Sequence, residues 1–539
     1  MRRTARRTDA RAATAVRRSA GPSLAGMPNS RGWPVSRSPS RSLSRPQAPA
    51  AAAMWMCCRC PMGCWRPGSK AGLTAHSRWW RTPWRRPISS ASWPRAVKQG
   101  CIVRPRRLFP PLLRSPVLPA ALLMLFLAAG CAPSPEANVL GYLLAERLGT
   151  LSPGATTAPP GSMAGVVQHG GAPLAGATVV VAERNGTPHT AVSDAAGRYR
   201  IDGIPPGQYV PAAVAPGYEE TVPRGWFGIP QLVTITSTGV SAAPPLELEP
   251  HIAQPLPEPL AAGVALSVTA VYSAATNFPP GAQADITAFQ FTYNGATVDS
   301  LRLYLPRGLP PDARLPLLLM VYPTTADNWW PVSVGFASQG YALVALSPIA
   351  ARGVDIDGHA QDARVAFHLA QSGSLSPHIA PGKAVALGGS FSSPILHRLL
   401  RDERDRIAGW VTVGGISNAF AGAADYYAGL LEMPPAYEYA VPALGPPNLY
   451  PLALLRYSPV YTAASLPPTM IIHTAADRIA RIEQAYQLET ALRAAGVPVE
   501  VFYYQDVSHY LQIGDDLTEA GAEMFYRILD FARRVQAAE

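Results

Sequence analysis

The stretch VALGGSFSSPILHRLL (Val385–Leu400) runs from a short apolar segment through two glycines and a serine into a helix-like pattern. A serine at the tip of so sharp a turn is placed as a nucleophile would be, with its hydroxyl lifted clear of the backbone. A hydroxyl is a poor nucleophile until an imidazole takes its proton. The imidazole in turn needs a carboxylate to fix its tautomer and stabilise its cation. Two later segments carry those residue types. Asp477 follows the apolar run in TMIIHTAADRI, and His509 follows the next one in VEVFYYQDVSHYL. The helix-like ARIEQAYQLETALRAAG lies between them.

Other groups compete for these roles. His359, His368, His378 and His397 precede the acid and are read as surface residues, and His473 is read as supporting its loop. Asp506 is an alternative acid, but at three residues from His509 it would need an unusual turn. Asp355, Asp357, His359 and Asp362 resemble a metal cluster. They fall at the start of a helical stretch, where acids complement the helix dipole, and that reading is preferred.

The elements around these residues form a pattern. ITAFQFTYNGATVDSLRLYLP alternates as a hairpin about Asn294-Gly295. Continuous apolar runs then alternate with amphipathic stretches, which argues a doubly wound, mostly parallel sheet with both faces covered. Gly388-Gly389-Ser390-Phe391-Ser392 resembles the G-x-S-x-G elbow of the α/β-hydrolases, with Ser392 in place of the last glycine. The region from about 285 to 537 resembles the dienelactone hydrolase and prolyl oligopeptidase-like branch, through Ser458-Pro459, Pro467-Pro468, His473-Thr474, Asp477 and His509. Thr474 stands where glycine is usual. The resemblance implies a triad in the order Ser390, Asp477, His509. It also implies an oxyanion hole from the Phe391 amide and the loop VYPTTADNWW. Pro323 has no N–H to give, so the second donor is Thr324, its neighbour Thr325 or the Tyr322 hydroxyl. The tyrosine- and proline-rich segment at about 417–465 is expected to cap the site.

Upstream, GAPLAGATVVV and SDAAGRYRIDGIPPGQY resemble the carboxypeptidase regulatory-like domain, a transthyretin-type β-sandwich over 162–250, with Tyr199, Ile201 and Tyr209 facing its core. That domain is expected to act as a spacer or scaffold. Segments 132–161 and 251–283 read as Pro-rich linkers.

Composition splits the chain at Cys131. Residues 1–131 hold 24 of the 46 Lys and Arg and one acid, a charge of +23, whereas the remainder carries −12. All six cysteines (Cys57, Cys58, Cys60, Cys64, Cys101, Cys131) lie in that first part, so no disulfide can staple the body. CCRCPMGC lacks a second metal-ligand pair, and the basic run has no domain-like pattern, so zinc and nucleic-acid binding are set aside. Residues 1–102 are expected to be a disordered extension or a mis-called start. Residues 103–131 resemble a lipoprotein signal peptide, with Arg104, Arg106 and Arg107, the apolar run Ala121–Ala129, and LAAGC ending on a lipidated Cys131. A membrane span is the alternative, but the apolar run is short for it.

The expectation is therefore an exported serine hydrolase, held at the membrane by an N-terminal lipid and acting on a small ester or peptide. No metal, no organic cofactor and no nucleic-acid partner are called for. The rival is a surface-anchored binding protein that keeps the fold without the activity. It is motivated by Ser392, Thr474 and the missing His-Gly-Gly loop.

Overall fold

A computed structural model describes residues 135–147, 158–258, 260–509, 512–513 and 516–538. The segments 1–102 and 103–131, with Cys131, lie outside them.

The first described element is a helix, α1 (Pro135–Arg147), in the segment expected to be a spacer. Its packing explains the difference. Tyr142 is buried against the Tyr450 ring, and Glu146 accepts a hydrogen bond from the Tyr450 hydroxyl (2.6 Å). Composition could not show that contact.

The β-rich domain follows, from β1 (Gly161–His169) to β10 (Leu246–Glu247). β1 pairs antiparallel with β5 (Arg198–Ile204) and parallel with β9 (Val240–Ala242) and β10. β5 shows the period of two: Tyr199 and Ile201 are buried between exposed arginines. Tyr209 joins them in the same core. The turn before β5 is held by Asp194, whose Oδ1 accepts from the amides of Ala196 and Arg198 (2.9 Å each). In β3 (Thr178–Ala182) both faces are covered. Val179 and Val181 enter the sandwich core, whereas Val180 and Ala182 join the core of the C-terminal domain. The sandwich is therefore packed on that domain. A charged junction reinforces the contact. Glu220 is buried between Arg398 (2.5 Å) and Arg401 (2.6 Å), and His251 bridges Glu219 (2.5 Å) and Asp402 (2.6 Å).

The C-terminal domain carries a nine-stranded sheet in the order β11 (Ala265–Thr276), β12 (Ala282–Tyr293), β13 (Ala296–Pro306), β15 (Ala342–Leu346), β14 (Leu317–Val321), β16 (Ala384–Gly389), β17 (Ile407–Val413), β18 (Thr469–Thr474), β19 (Val499–Tyr504). β11 (Ala265–Thr276) falls in the segment read as a connector, and it pairs with β12 (Ala282–Tyr293) along nearly its whole length. β12 and β13 (Ala296–Pro306) form the hairpin about Asn294-Gly295, both at positive φ. From β14 (Leu317–Val321) and β15 (Ala342–Leu346) through β16 (Ala384–Gly389), β17 (Ile407–Val413), β18 (Thr469–Thr474) and β19 (Val499–Tyr504) the pairings are parallel. Parallel strands need crossovers, and these helices cover both faces. α2 (Trp330–Ser338) and the terminal α8 (Glu519–Ala537) bury one face through Val334, Phe336, Phe525 and Phe531. α3 (Ile356–Gln371), α4 (Ser392–Glu403) and α7 (Glu483–Ala494) bury the other through Phe367, Leu396, Leu399 and Leu488. The strands serve both cores at once: Leu319 and Val321 point to the α3/α4 side, Leu318 and Met320 to the α2/α8 side.

Candidate active site

The parallel strands end on one side of the sheet, and three of these ends carry the predicted residues. β16 ends at Gly389 and α4 starts at Ser392, and Phe391 already holds helical dihedrals, so Ser390 alone turns the chain. It does so with φ of 49°, in the left-handed region that a side chain rarely adopts. Such a conformation costs about 1–3 kcal/mol and persists only where the surroundings impose it. Here they do. The Ser390 amide donates to the carbonyls of Val413 (3.1 Å) and Gly414 (3.2 Å), and its carbonyl accepts from the amides of Ser393 (3.2 Å) and Ile416 (3.3 Å).

Gly389 is needed for space, because a Cβ there would lie 2.2 Å from the Val413 carbonyl oxygen. Ser392, the departure from the elbow pattern, is fully buried. Its hydroxyl accepts from the Gly389 amide (2.8 Å) and donates to the Gly389 carbonyl (2.7 Å). It fits the turn and latches it.

β18 delivers Asp477. Its Oδ1 accepts from the amides of Ile479 (2.8 Å) and Ala480 (2.9 Å), and its Oδ2 accepts from His509 Nδ1 at 2.6 Å. The carboxylate is fully buried, whereas the His509 ring is 10% exposed. With Nδ1–H on the aspartate, Nε2 is the basic nitrogen. Ser390 and His509 line one cavity. Gly414 ties the parts together. Its carbonyl holds the Ser390 amide, and a Cβ on it would lie 3.3 Å from both Asp477 Oδ2 and His509 Nδ1. Asp506 is exposed and His509 has taken Asp477, so the alternative acid is set aside.

The predicted oxyanion groups separate. Phe391 lies at the N-terminus of α4 and lines the cavity, as does Thr324. The Thr324 hydroxyl accepts from Trp329 Nε1 (2.8 Å) and Asn328 Nδ2 (3.2 Å), which fixes the loop. Tyr322 is a correction. It is fully buried, and its hydroxyl is shared with Ser333 (2.5 Å) and donates to Tyr304 (3.2 Å). The period of two that sends Leu318 and Met320 to the α2/α8 side sends Tyr322 there too, into the core.

The histidines read as surface residues are also corrected. His359 and His397 are buried, on the inner sides of α3 and α4, and burial lowers the pKa of each, that of His397 to about 3. His397 Nε2 bonds the Thr462 hydroxyl (2.6 Å), and the His359 ring meets the Phe391 ring edge-on at 5.6 Å. His368 and His378 are half-buried, on Glu403 (2.8 Å) and the Ala313 carbonyl (3.0 Å). His473 is buried and accepts the Thr474 amide through Nδ1 (2.9 Å). The acids of the metal-like cluster are spoken for. Asp355 caps α3 through the Gly358 amide, Asp357 pairs with Arg398 (2.7 Å) and Arg456 (3.2 Å), and Asp362 pairs with Arg352 (2.8 Å).

The segment after β17 folds over the cavity. It forms α5 (Ala419–Tyr427), a stretch with one short helical turn at Ala440–Ala443, and α6 (Pro451–Arg456), and it places Leu431, Met433, Tyr437, Val441 and Leu444 in the cavity wall. The Tyr437 hydroxyl donates to the Pro323 carbonyl (2.7 Å), so the insertion holds the loop that carries Pro323 and Thr324. Sequence reasoning missed this contact, and it missed Gln484. Buried at the cavity wall, the Gln484 Oε1 accepts from the amides of Ser417 (2.9 Å) and Asn418 (2.7 Å), fixing the entry to the insertion. No local signal marks either residue, since each acts across more than 60 residues of sequence.

The cavity, of about 220 Å3, is walled mainly by apolar side chains. Its charged wall residues, Asp425 and Arg481, pair with each other at 3.0 Å.

Residues 162–238 match the model of the carboxypeptidase regulatory-like domain. No curated protein matches the chain. Similar solved structures include an acylaminoacyl peptidase from Pyrococcus horikoshii (TM-score 0.39, 13% identity, 65% of this chain and 59% of that one). An esterase from Thermogutta terrifontis with bound propionate has a TM-score of 0.32 and 17% identity over 43% of this chain and 89% of that one. A sugar hydrolase from Lactococcus lactis has a TM-score of 0.35 and 16% identity over 46% and 96%. The chain thus spans 59% of the length of the Pyrococcus peptidase. By its strand order, crossovers and the turn at Ser390, the C-terminal domain has the α/β-hydrolase fold, preceded by a carboxypeptidase regulatory-like sandwich.

Proposed function

We propose that this chain is an exported, lipid-anchored serine hydrolase that cleaves a carboxylic ester or peptide bond with Ser390, His509 and Asp477. The observation that carries the reading is the strained turn at Ser390, which opens on a cavity that His509 also lines, with His509 held by a buried Asp477. His509 Nε2 takes the proton as Ser390 Oγ attacks the carbonyl carbon. Asp477 stabilises the imidazolium. The negative oxygen of the tetrahedral intermediate is received by the Phe391 amide and by the amide of Thr324. His509 then returns the proton to the leaving oxygen or nitrogen, giving an acyl-Ser390. Water, deprotonated by the same imidazole, releases the acid.

The wall favours a neutral substrate. An apolar cavity of about 150 Å3 holds benzene, so about 220 Å3 accepts an aryl ring or a medium acyl chain. Because Arg481 pairs with both Asp425 and Glu483, a charged substrate end would find no unpaired counterion in Asp425 or Arg481. Neutral acyl esters are the first class to try.

A fluorophosphonate probe tests the nucleophile. Wild type should be labelled, and Ser390→Ala should not. An unlabelled but folded wild type would instead favour the fold-without-activity reading. Hydrolysis of p-nitrophenyl esters of increasing acyl length, set against aminoacyl amides, then separates esterase from peptidase.

A further inference from the structure

A second feature lies on the outside of α1. The helix turns Tyr142 inward, and a Cβ on its Gly141 would meet the Leu232 side chain at 3.8 Å. Glu146 is turned to Tyr450. Leu140, Leu143 and Leu144 are left at i, i+3 and i+4 on the open side, 40%, 43% and 39% exposed. Leucines at this spacing form one apolar stripe along the helix, and the described residues do not cover it.

The helix runs against the turn Trp226–Gly228 of the sandwich. That turn presents two large rings, Trp226 at 56% and Phe227 at 87% exposure, packed on each other at 5.3 Å. Phe227 holds φ of 54°, a left-handed conformation that disfavours a phenylalanine. A strained backbone retained with its ring in solvent is a reason to ask for a function there. Two exposed arginines flank the patch. Arg147 ends the helix, and Arg224 donates to the Gly228 carbonyl (2.9 Å) at the base of the turn.

We propose that this face docks on a lipid bilayer, with the three leucines and the Trp226-Phe227 pair in the headgroup boundary and the arginines at anionic lipid. Two observations select lipid as the occupant. The helix begins at Pro135, four residues after Cys131 and directly downstream of the apolar run Ala121–Ala129, so this is the part of the folded body tethered nearest the anchor. Leucine stripe, aromatic pair and flanking cations are the composition of an interfacial surface. The proposal rests on the anchor read at Cys131. A second apolar contact beside the anchor fixes the orientation of the folded body on the surface.

Hydrogen exchange and flotation of the full chain, with and without vesicles of phosphatidylcholine and phosphatidylglycerol, test it. Amides of 139–147 and 225–229 should slow at least tenfold on vesicles, while those of β11 stay unchanged. In a Cys131→Ser background, adding Leu143→Glu and Phe227→Glu should lower the floated fraction at least tenfold. Retained fluorophosphonate labelling would show that the fold is intact. Equal exchange on vesicles and in buffer, with wild type still floating, would overturn the docking face and leave the anchor standing. Failure of wild type to float would overturn both. Protection of the patch already in buffer would mean that another part of the chain covers it, which also refutes lipid docking.

Discussion

Replacing the proposed nucleophile by alanine and by glycine separates the strain of its turn from its chemistry. Both substitutions remove the hydroxyl, so both should abolish turnover and probe labelling. Their stabilities should differ, and the structure sets the sign. At φ of 49° a Cβ is unfavourable by roughly 1–2 kcal/mol. Glycine escapes that strain but is more flexible in the unfolded chain, which offsets about 0.5–1 kcal/mol. Ser390→Gly should therefore be about 0.5–1 kcal/mol more stable than Ser390→Ala. Elsewhere in regular structure the glycine variant is the weaker one by a similar amount. For a domain of this length the difference corresponds to about 1–2 °C in Tm, within reach of differential scanning calorimetry on matched samples. If Ser390→Ala proves equal or more stable, the left-handed turn is absent and the elbow argument fails with it.

Other outcomes follow from single contacts. Asp477→Asn keeps the shape but reverses the hydrogen bond to His509 Nδ1, so kcat should fall about 10³–10⁴-fold with little change in KM, read from ester hydrolysis. Tyr437→Phe removes the bond to the Pro323 carbonyl and should lower kcat/KM several-fold with a stability loss of about 1 kcal/mol. Tyr322→Phe should leave kcat/KM within about twofold, since its hydroxyl serves Ser333 and Tyr304 in the core; a larger loss of activity would reinstate it as an oxyanion donor. Burial alone would raise the Glu220 pKa, but Arg398 and Arg401 prevail and hold it at about 2, below its usual 4.5. The stabilisation from this group is therefore present above about pH 4.5 and lost as pH falls toward 2, on the order of 3 kcal/mol in all. Urea titrations should show Glu220→Gln well below wild type at pH 7, with the gap closing at pH 3 and below; a gap independent of pH would refute the ion-pair account.

The hairpin about Asn294-Gly295, the parallel runs β14 to β19, and the chain order of Ser390, Asp477 and His509 were all legible in the residues. Each is written locally, in a turn signal, a buried run or a position just after a strand. The elbow was legible despite Ser392, although the hydroxyl's bonds to Gly389 show only in three dimensions. Tyr322 was misassigned because proximity to the loop says nothing about which side of β14 the side chain takes; the two cores on either face decided it. His359 and His397 were misread as surface residues because helix positions bury themselves according to what packs on them. α1 and β11 were hidden in linker-like composition because their partners, Tyr450 and β12, lie far along the chain or beyond a run of prolines. The same holds for Tyr437 and Gln484 at the site and for the ion pairs that seat the sandwich on α4. Local propensity and spacing sufficed to pick out Ser390, Asp477 and His509, which the fold brings to one cavity and one hydrogen-bonded pair. Which surfaces close around them depended on contacts between distant segments, which no window of sequence contains.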